Sequence, residues 1–190
     1  MNDEANLIAR VQRGDLQAYD KLVREYESIA FRTSFLIVRD AHDAADVAQD
    51  AFVRAYQAMG SFKLDKPFRP WLLRIVTNLS LNRVRSTRRR ENATLRLVRS
   101  TDDSQSVSPD SAIVSLEQSE RLLQAVVRLT IEDQALVSLR YFVELSESEI
   151  AETLQIPIGT VKSRLYRTLS RLREIIQLDF PDLCEWTIES

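Results

Sequence analysis

Three clusters of side chains in this chain have the types and spacing to do chemistry. The first gathers Thr160, Lys162, Ser163, Arg164, Tyr166, Arg167 and Arg171 on one amphipathic segment. At roughly 100° per residue, Lys162, Ser163, Tyr166, Arg167 and Ser170 point broadly away from an apolar stripe of Val161, Leu165, Leu169, Leu172 and Ile176, with Arg164 and Arg171 on one flank. Hydroxyls, an aromatic ring and guanidinium groups are what hydrogen-bond base edges and phosphates; the alternative is an ordinary solvated basic face. The second cluster is Asp43, Asp46, Gln49 and Asp50, which three- and four-residue spacing puts on one side of a helix. These carboxylates suit a metal ion, an acid–base pair, a docking face or a plain solvated surface, and spacing alone leaves all four open. The third cluster runs Arg74, Asn78, Asn82, Arg85 up a helix that also carries Trp71, then adds Arg88, Arg89 and Arg90. A basic helix interleaved with aromatics suits a single strand whose bases stack on rings.

The elements that must position these groups announce themselves through their ends. Ser146 with Glu149 is a capping-box pattern opening a short helix to about Leu154. Gln155-Ile156 is a turn, and Pro157 fits the first position of the next helix. Two helices joined so tightly form a helix-turn-helix, whose second helix can lie in a DNA major groove. Upstream, residues 3–13 form a short helix ended by Gly14, Asp15 caps a second helix to about Val38, and Asp40 opens a third, stopped by Gly60. Ser61 to Pro67 reads as a loop exposing Phe62 and Lys63, and Pro70 as the start of the basic helix, which buries Trp71, Leu72, Ile75, Val76 and Leu79. The polar, Ser/Asp-rich stretch 99–111 reads as a flexible linker. Helices from Ile113 to Leu129 and from about Glu132 to Phe142 complete a second, four-helix domain. The expectation is an all-α chain of two small helical domains: residues 1–92, a flexible linker 93–114, a helix-turn-helix domain 115–177 and a tail 178–190.

Composition narrows the class. Three glycines and few β-branched runs among 190 residues argue against a sheet protein. The longest apolar run, Ile29 to Val38, is broken by Arg32, Thr33 and Ser34 and is too short to span a bilayer. No basic-then-apolar signal segment opens the chain, so the expected compartment is the cytoplasm, without membrane insertion. A single Cys184 and a single His42 exclude a His/Cys zinc site; neither a metal, a cofactor nor a catalytic residue is expected. The net charge of −2 hides an asymmetry: residues 61–100 carry net +9 and residues 101–160 net −8. The overall balance says nothing of nucleic acid; the basic segments do.

Three stretches together resemble one family. Asp43-Ala-Ala-Asp-Val-Ala-Gln-Asp-Ala-Phe-Val-Arg-Ala-Tyr56 resembles the polymerase-binding helix of bacterial sigma factors. Phe68-Arg-Pro-Trp-Leu-Leu-Arg-Ile-Val-Thr-Asn-Leu-Ser-Leu-Asn-Arg-Val-Arg85 resembles their −10 helix. Leu139-Arg-Tyr-Phe, Leu145 to Leu154 and Ile158 to Leu165 resemble their −35 domain. The two-domain layout is that of the extracytoplasmic-function (ECF) group. The resemblance implies core RNA polymerase, through its β′ coiled coil and β flap, and promoter DNA as partners, with an anti-sigma factor as a further one. It places Asp46, Gln49 and Asp50 on the β′ coiled coil. It places Phe62, Lys63 and Asn78 at the −10 element, Phe62 and Lys63 in the loop that captures a flipped base and Asn78 lining its pocket; Arg74, Arg85 and Arg88 of the basic helix are further expected contacts there. It places Lys162, Ser163, Tyr166 and Arg167 at the −35 element; Thr160, Arg164 and Arg171, on the same segment, are further expected contacts there, the two arginines by helical angle toward the phosphate backbone. The chain departs from the family with Asn82 where many members carry Asp, and Gln155 where many carry Gly.

Two other classes compete. A stand-alone helix-turn-helix regulator would need a ligand, receiver or dimerisation domain, whereas the N-terminal half offers an acidic helix beside a basic one. A carboxylate-metal nuclease would need groups converging from several elements, and here the acids share one helix.

Overall fold

A computed structural model describes the backbone of residues 3–97 and 121–183, and the side chains of 3–90 and 121–183; among these residues all regular structure is helical. The N-terminal half holds α1 (Asp3–Gln12), α2 (Leu16–Val38), α3 (Ala41–Ala58) and α4 (Phe68–Leu97). The C-terminal half holds α5 (residues 121–127), α6 (Ile131–Val137), α7 (Glu147–Leu154) and α8 (Ile158–Asp179).

Local chemistry sets most helix starts. Asp15 accepts from the Ala18 N–H at 3.1 Å and Asp40 from the Asp43 N–H at 2.7 Å, each satisfying a donor the helix leaves free. Gly14, at φ 89, takes the left-handed turn between α1 and α2 that any side chain would strain. At Ser146 both arms of the capping box are made: its hydroxyl accepts from the Glu149 N–H, and the Glu149 carboxylate accepts from the Ser146 N–H at 2.9 Å. Gln155 adopts the left-handed conformation (φ 54, ψ 45) between α7 and α8, so the turn keeps its shape without glycine.

Several boundaries differ from the sequence reading. After α3 the chain makes a 3₁₀ turn, Met59–Ser61, instead of stopping at Gly60. Helix α4 begins at Phe68, two residues before Pro70; a proline in the first turn is tolerated because its N–H would have no partner there. The same helix runs on to Leu97. Pro157 is the N-cap of α8, not its first helical residue. After α6 the chain widens into a π turn, Ser138–Phe142, closed by the Val143 N–H on the Ser138 carbonyl. The stretch 99–111 and the start of the helix expected from Ile113 lie outside the described residues.

The N-terminal core is built on alanines. Ala44, Ala51 and Ala55 of α3 are fully buried, letting α3 approach α2 and α4 closely, while Leu22, Phe52, Met59, Phe68, Leu72 and Val76 fill the space between. In the C-terminal half Gln134, itself buried, donates from its side chain to the Val127 and Leu129 carbonyls at 2.8 and 2.9 Å, stapling the turn between α5 and α6. The tail contributes too. Phe180 is buried, with the Arg121 and Arg128 guanidinium carbons 5.8 and 5.4 Å from its ring centre.

The two halves share a seam. Fully buried Leu73 of α4 lies in one apolar cluster with Leu136, Leu139, Leu145, Ile150 and Val161. A second cluster joins Ile37 and Leu81 to Ile131 and Ala135.

Candidate nucleic-acid interface

The exposed face of α8 emerges from how its opposite face is buried. Val161, Leu165, Thr168 and Leu172, at steps of four, three and four, form the buried stripe; Leu169 and Ile176, expected on it, are half-buried at its edge. Tyr166 is therefore thrown outward, 75% exposed, with Lys162, Ser163 and Arg167 beside it. Within this face the Ser163 hydroxyl donates to the Thr160 carbonyl at 3.1 Å, and the Arg167 Nε donates to the Ser163 carbonyl at 3.2 Å. These bonds hold Arg167 along the helix with part of its fork turned to solvent. On the flank, Arg164 and Arg171 converge on one carboxylate of α6: Asp133 lies 3.5 Å from the first and 3.2 Å from the second. Lys162 reaches Glu147 of α7 at 3.5 Å. The face can present an aromatic, a hydroxyl and cations to a groove, and flanking cations to a backbone.

On α4, Asn78, Asn82, Arg85 and Arg88 are exposed and Arg74 is half-buried. Arg85 is paired with Glu132 of α6 at 2.8 Å, and its hydrogen bond holds the Glu132 carboxyl below the usual carboxylate range. The loop before α4 corrects the sequence reading. Lys63 is exposed as expected, but Phe62 is only 6% exposed. Its ring stands edge-on to Phe68 and Trp71, with centroids at 5.7 and 4.9 Å. A ring that can reach two aromatic partners leaves water. Gln12 of α1, which the sequence reading passed over, ties this loop down through Nε2 bonds to the Met59 and Phe62 carbonyls at 3.1 and 2.8 Å. No local pattern marks a glutamine whose partners are main-chain atoms some fifty residues away.

On α3, Asp46, Gln49 and Asp50 are exposed together on one side. Val53 and Tyr56, 51% and 39% exposed, extend that side at the next helical steps, which the same spacing argument would have found. Asp43 is held by two hydrogen bonds from Arg83 of α4, whose guanidinium also lies 4.0 Å from Asp46. Those bonds keep the Asp43 carboxyl below its ordinary range and raise Arg83 above its own. His42, Asp43 and Asp46 offer ligand atoms within 4.8 Å of one another. The guanidinium already supplies the positive charge there, so the arrangement is an ion pair, not a metal cage.

Known proteins share this organisation. The family model described as Sigma-70 region 2 matches residues 18–90, and that described as Sigma-70, region 4 matches residues 119–172. The chain is 35% identical to ECF RNA polymerase sigma factor SigW of Bacillus subtilis, over 88% of this chain and 93% of that protein. It is also 35% identical to RNA polymerase sigma-H factor of Pseudomonas aeruginosa, over 92% and 94% respectively. Its fold is similar to that of CnrH, solved in complex with the cytosolic domain of CnrY, with a TM-score of 0.69 over 94% of this chain and 99% of that one at 23% identity. On the two family matches and the relatives that span nearly its whole length, the chain belongs to the extracytoplasmic-function group of the sigma-70 family of RNA polymerase sigma factors.

Proposed function

We propose a residue-level division of labour for this promoter-directing factor. The N-terminal half melts and reads the −10 element through α4 and the loop before it. Arg74, Asn78, Arg85 and Arg88 track the strand, and Lys63 stands at the loop's exposed edge. Phe62, packed on Phe68 and Trp71, supports that loop from inside and meets a base only if the loop lifts. The C-terminal half reads the −35 element with Lys162, Ser163, Tyr166 and Arg167 toward the bases, and with Thr160, Arg164 and Arg171 toward the phosphates. Asp46, Gln49 and Asp50, with Val53 and Tyr56, form the docking face for the β′ coiled coil of core polymerase, and the C-terminal half meets the β flap. RpoE of Bartonella quintana is solved in complex with the anti-sigma factor NepR; an anti-sigma partner for this chain fits the same scheme. Among the described residues no helix is long and apolar enough to cross a membrane. The reading is of a cytoplasmic factor that acts by binding, not by bond chemistry.

Exposure of Tyr166, Lys162 and Arg167 on a helix whose other stripe is core is the observation that carries this reading. Run-off transcription by core polymerase, with and without the protein, tests it: specific transcripts should appear only with the protein. A footprint on duplex DNA unchanged by core polymerase would favour a stand-alone regulator instead.

A further inference from the structure

The end of α1 carries an inference about the loop that precedes the −10 helix. That loop joins the docking helix α3 to α4. Its own main chain contributes a bond from the Phe62 N–H to the Met59 carbonyl and one from the Lys66 N–H to the Lys63 carbonyl, each at 3.0 Å. Gln12 adds a brace from outside. Its two Nε2 bonds run to the Met59 and Phe62 carbonyls, and so use both donors of the amide. The second of these carbonyls immediately precedes Lys63, and belongs to the residue whose ring stands on Phe68 and Trp71. The loop is therefore gripped twice at Phe62, by its ring toward the core and by its carbonyl toward α1, while Lys63 faces solvent.

Gln12 is itself held in place. It closes α1, whose Ile8 and Val11 are buried in the N-terminal core. Just beyond it, the Gly14 N–H donates to the Val11 carbonyl at 2.8 Å and the Asp15 N–H to the Arg10 carbonyl at 3.1 Å. Arg10 also donates twice to the Asp15 carboxylate, at 2.9 and 2.7 Å. At the start of α1 the Tyr26 hydroxyl donates to Glu4, and the Tyr26 ring lies edge-on to Phe68 at 5.2 Å. A side chain on so fixed a stem delivers its hydrogen bonds in one geometry, which is what a group that positions another must do. Gln12 is nonetheless exposed, so its amide fills no space in the core.

We propose that Gln12 is a positioning residue for promoter reading: its amide fixes the main chain of residues 59–62, so that Lys63 and the loop meet the melted −10 strand in one register. The proposal rests on the reading of this loop as a −10 contact, and its first readout does not. That readout is amide hydrogen exchange on the full-length protein. Gln12→Met keeps the stem and removes both donors; Gln12→Glu keeps the shape and turns carboxylate oxygens toward carbonyl oxygens. The Phe62 and Lys66 amides should exchange at least about five-fold faster in Gln12→Met, and faster still in Gln12→Glu, because a lost hydrogen bond shifts a local opening equilibrium by about that factor. Amides of α2 and α8 should keep their wild-type rates.

The second readout is transcription by reconstituted holoenzyme from a promoter library randomised across the −10 element. Lys63→Ala marks the base position that the loop reads. Gln12→Met should weaken the preference at that same position by at least about three-fold, and leave the −35 preference unchanged. A residue that merely braces the fold would scale every promoter down together. Wild-type exchange at Phe62 and Lys66 in both variants would overturn the clamp. Faster exchange with a −10 preference that is unchanged, sharpened, scaled uniformly or weakened at a base other than that of Lys63 would overturn the positioning role. Should Lys63→Ala itself move no −10 position, the reading of the loop falls, and the role of Gln12 in promoter reading falls with it.

Discussion

Asp133 of α6 holds Arg171 of α8 at 3.2 Å, and its other oxygen lies 3.5 Å from Arg164, one carboxylate shared by two cations two turns apart on the recognition helix. Asp133 is itself well covered, with 14% of its side chain exposed, so it stays between them. The flanking arginines are thereby aligned along one edge of the helix, but part of their charge is already answered before DNA arrives.

Asp133→Asn should therefore raise affinity for all duplexes alike. Counted as surface ion pairs, each is worth about 0.2–1 kcal/mol, so freeing two predicts a gain of about two- to thirty-fold at low salt. Titration of holoenzyme on promoter and non-promoter duplexes measures it. A gain confined to one sequence, or a loss on both, would show that Asp133 does more than neutralise.

Reversing charge at Asp46 and Asp50 to Lys should abolish co-purification with core polymerase and leave the circular dichroism spectrum unchanged. Both side chains are exposed and opposite the buried Val47, Ala48, Ala51 and Phe52, where surface substitution usually shifts stability by less than about 0.5 kcal/mol. Asp50→Lys is the cleaner variant, because Asp46 also lies near His42 and Arg83. Normal binding by the double variant would make the acidic face a solvated one.

Phe62→Ala and Asn78→Ala should fail differently. Removing a buried aromatic costs about 3–5 kcal/mol, so Phe62→Ala should unfold the N-terminal half at lower urea as well as impair promoter opening. Asn78 is exposed; Asn78→Ala should keep wild-type stability and lose opening alone, seen as weaker permanganate reactivity on duplex promoter than on a pre-melted bubble. Equal defects on duplex and bubble would remove Asn78 from the opening step.

The Asp43–Arg83 pair predicts a pH dependence. Arg83 lowers the folded carboxyl below the ordinary value of 3.8, so its contribution is present above the unfolded value and is lost as pH falls through the lower folded one. Asp43→Asn should be less stable than the wild type at pH 7, and the gap should narrow steadily in parallel urea titrations as pH falls below the ordinary carboxylate value of 3.8. A gap that persists at low pH would mean that the side chain's packing, not its charge, is what matters.

Much of this molecule is legible locally. Asp15, Asp40 and Ser146 cap helices because a side chain bonding a backbone N–H two or three residues on needs nothing distant. The exposed face of α8 follows from period alone, although Thr168 and not Leu169 completes the buried stripe, since steps of four, three and four track one side of an α-helix more closely than repeated fours. What stayed hidden depends on remote partners. Leu73 sits beside core residue Leu72, and nothing in periodicity says that its side faces another half of the chain. Phe62 looks exposed in a polar loop until Phe68 and Trp71 are placed around it. The segment after residue 177 looks featureless, yet α8 runs to Asp179 and Phe180 closes the C-terminal half beneath two arginines.

The most direct test of the account is transcription from a promoter library randomised across the −35 element, by core polymerase reconstituted with wild type, Arg167→Ala or Arg171→Ala at two salt concentrations. Loss of a base contact costs about 1–3 kcal/mol and relaxes one position, while loss of a phosphate contact weakens all sequences and lowers the salt slope by about one. The account predicts that the wild type imposes a −35 preference absent with core alone, that Arg167→Ala erases it at one base, and that Arg171→Ala scales every promoter down together. A wild type that imposes no preference, or an Arg171→Ala variant that changes the preferred base while Arg167→Ala does not, would contradict it.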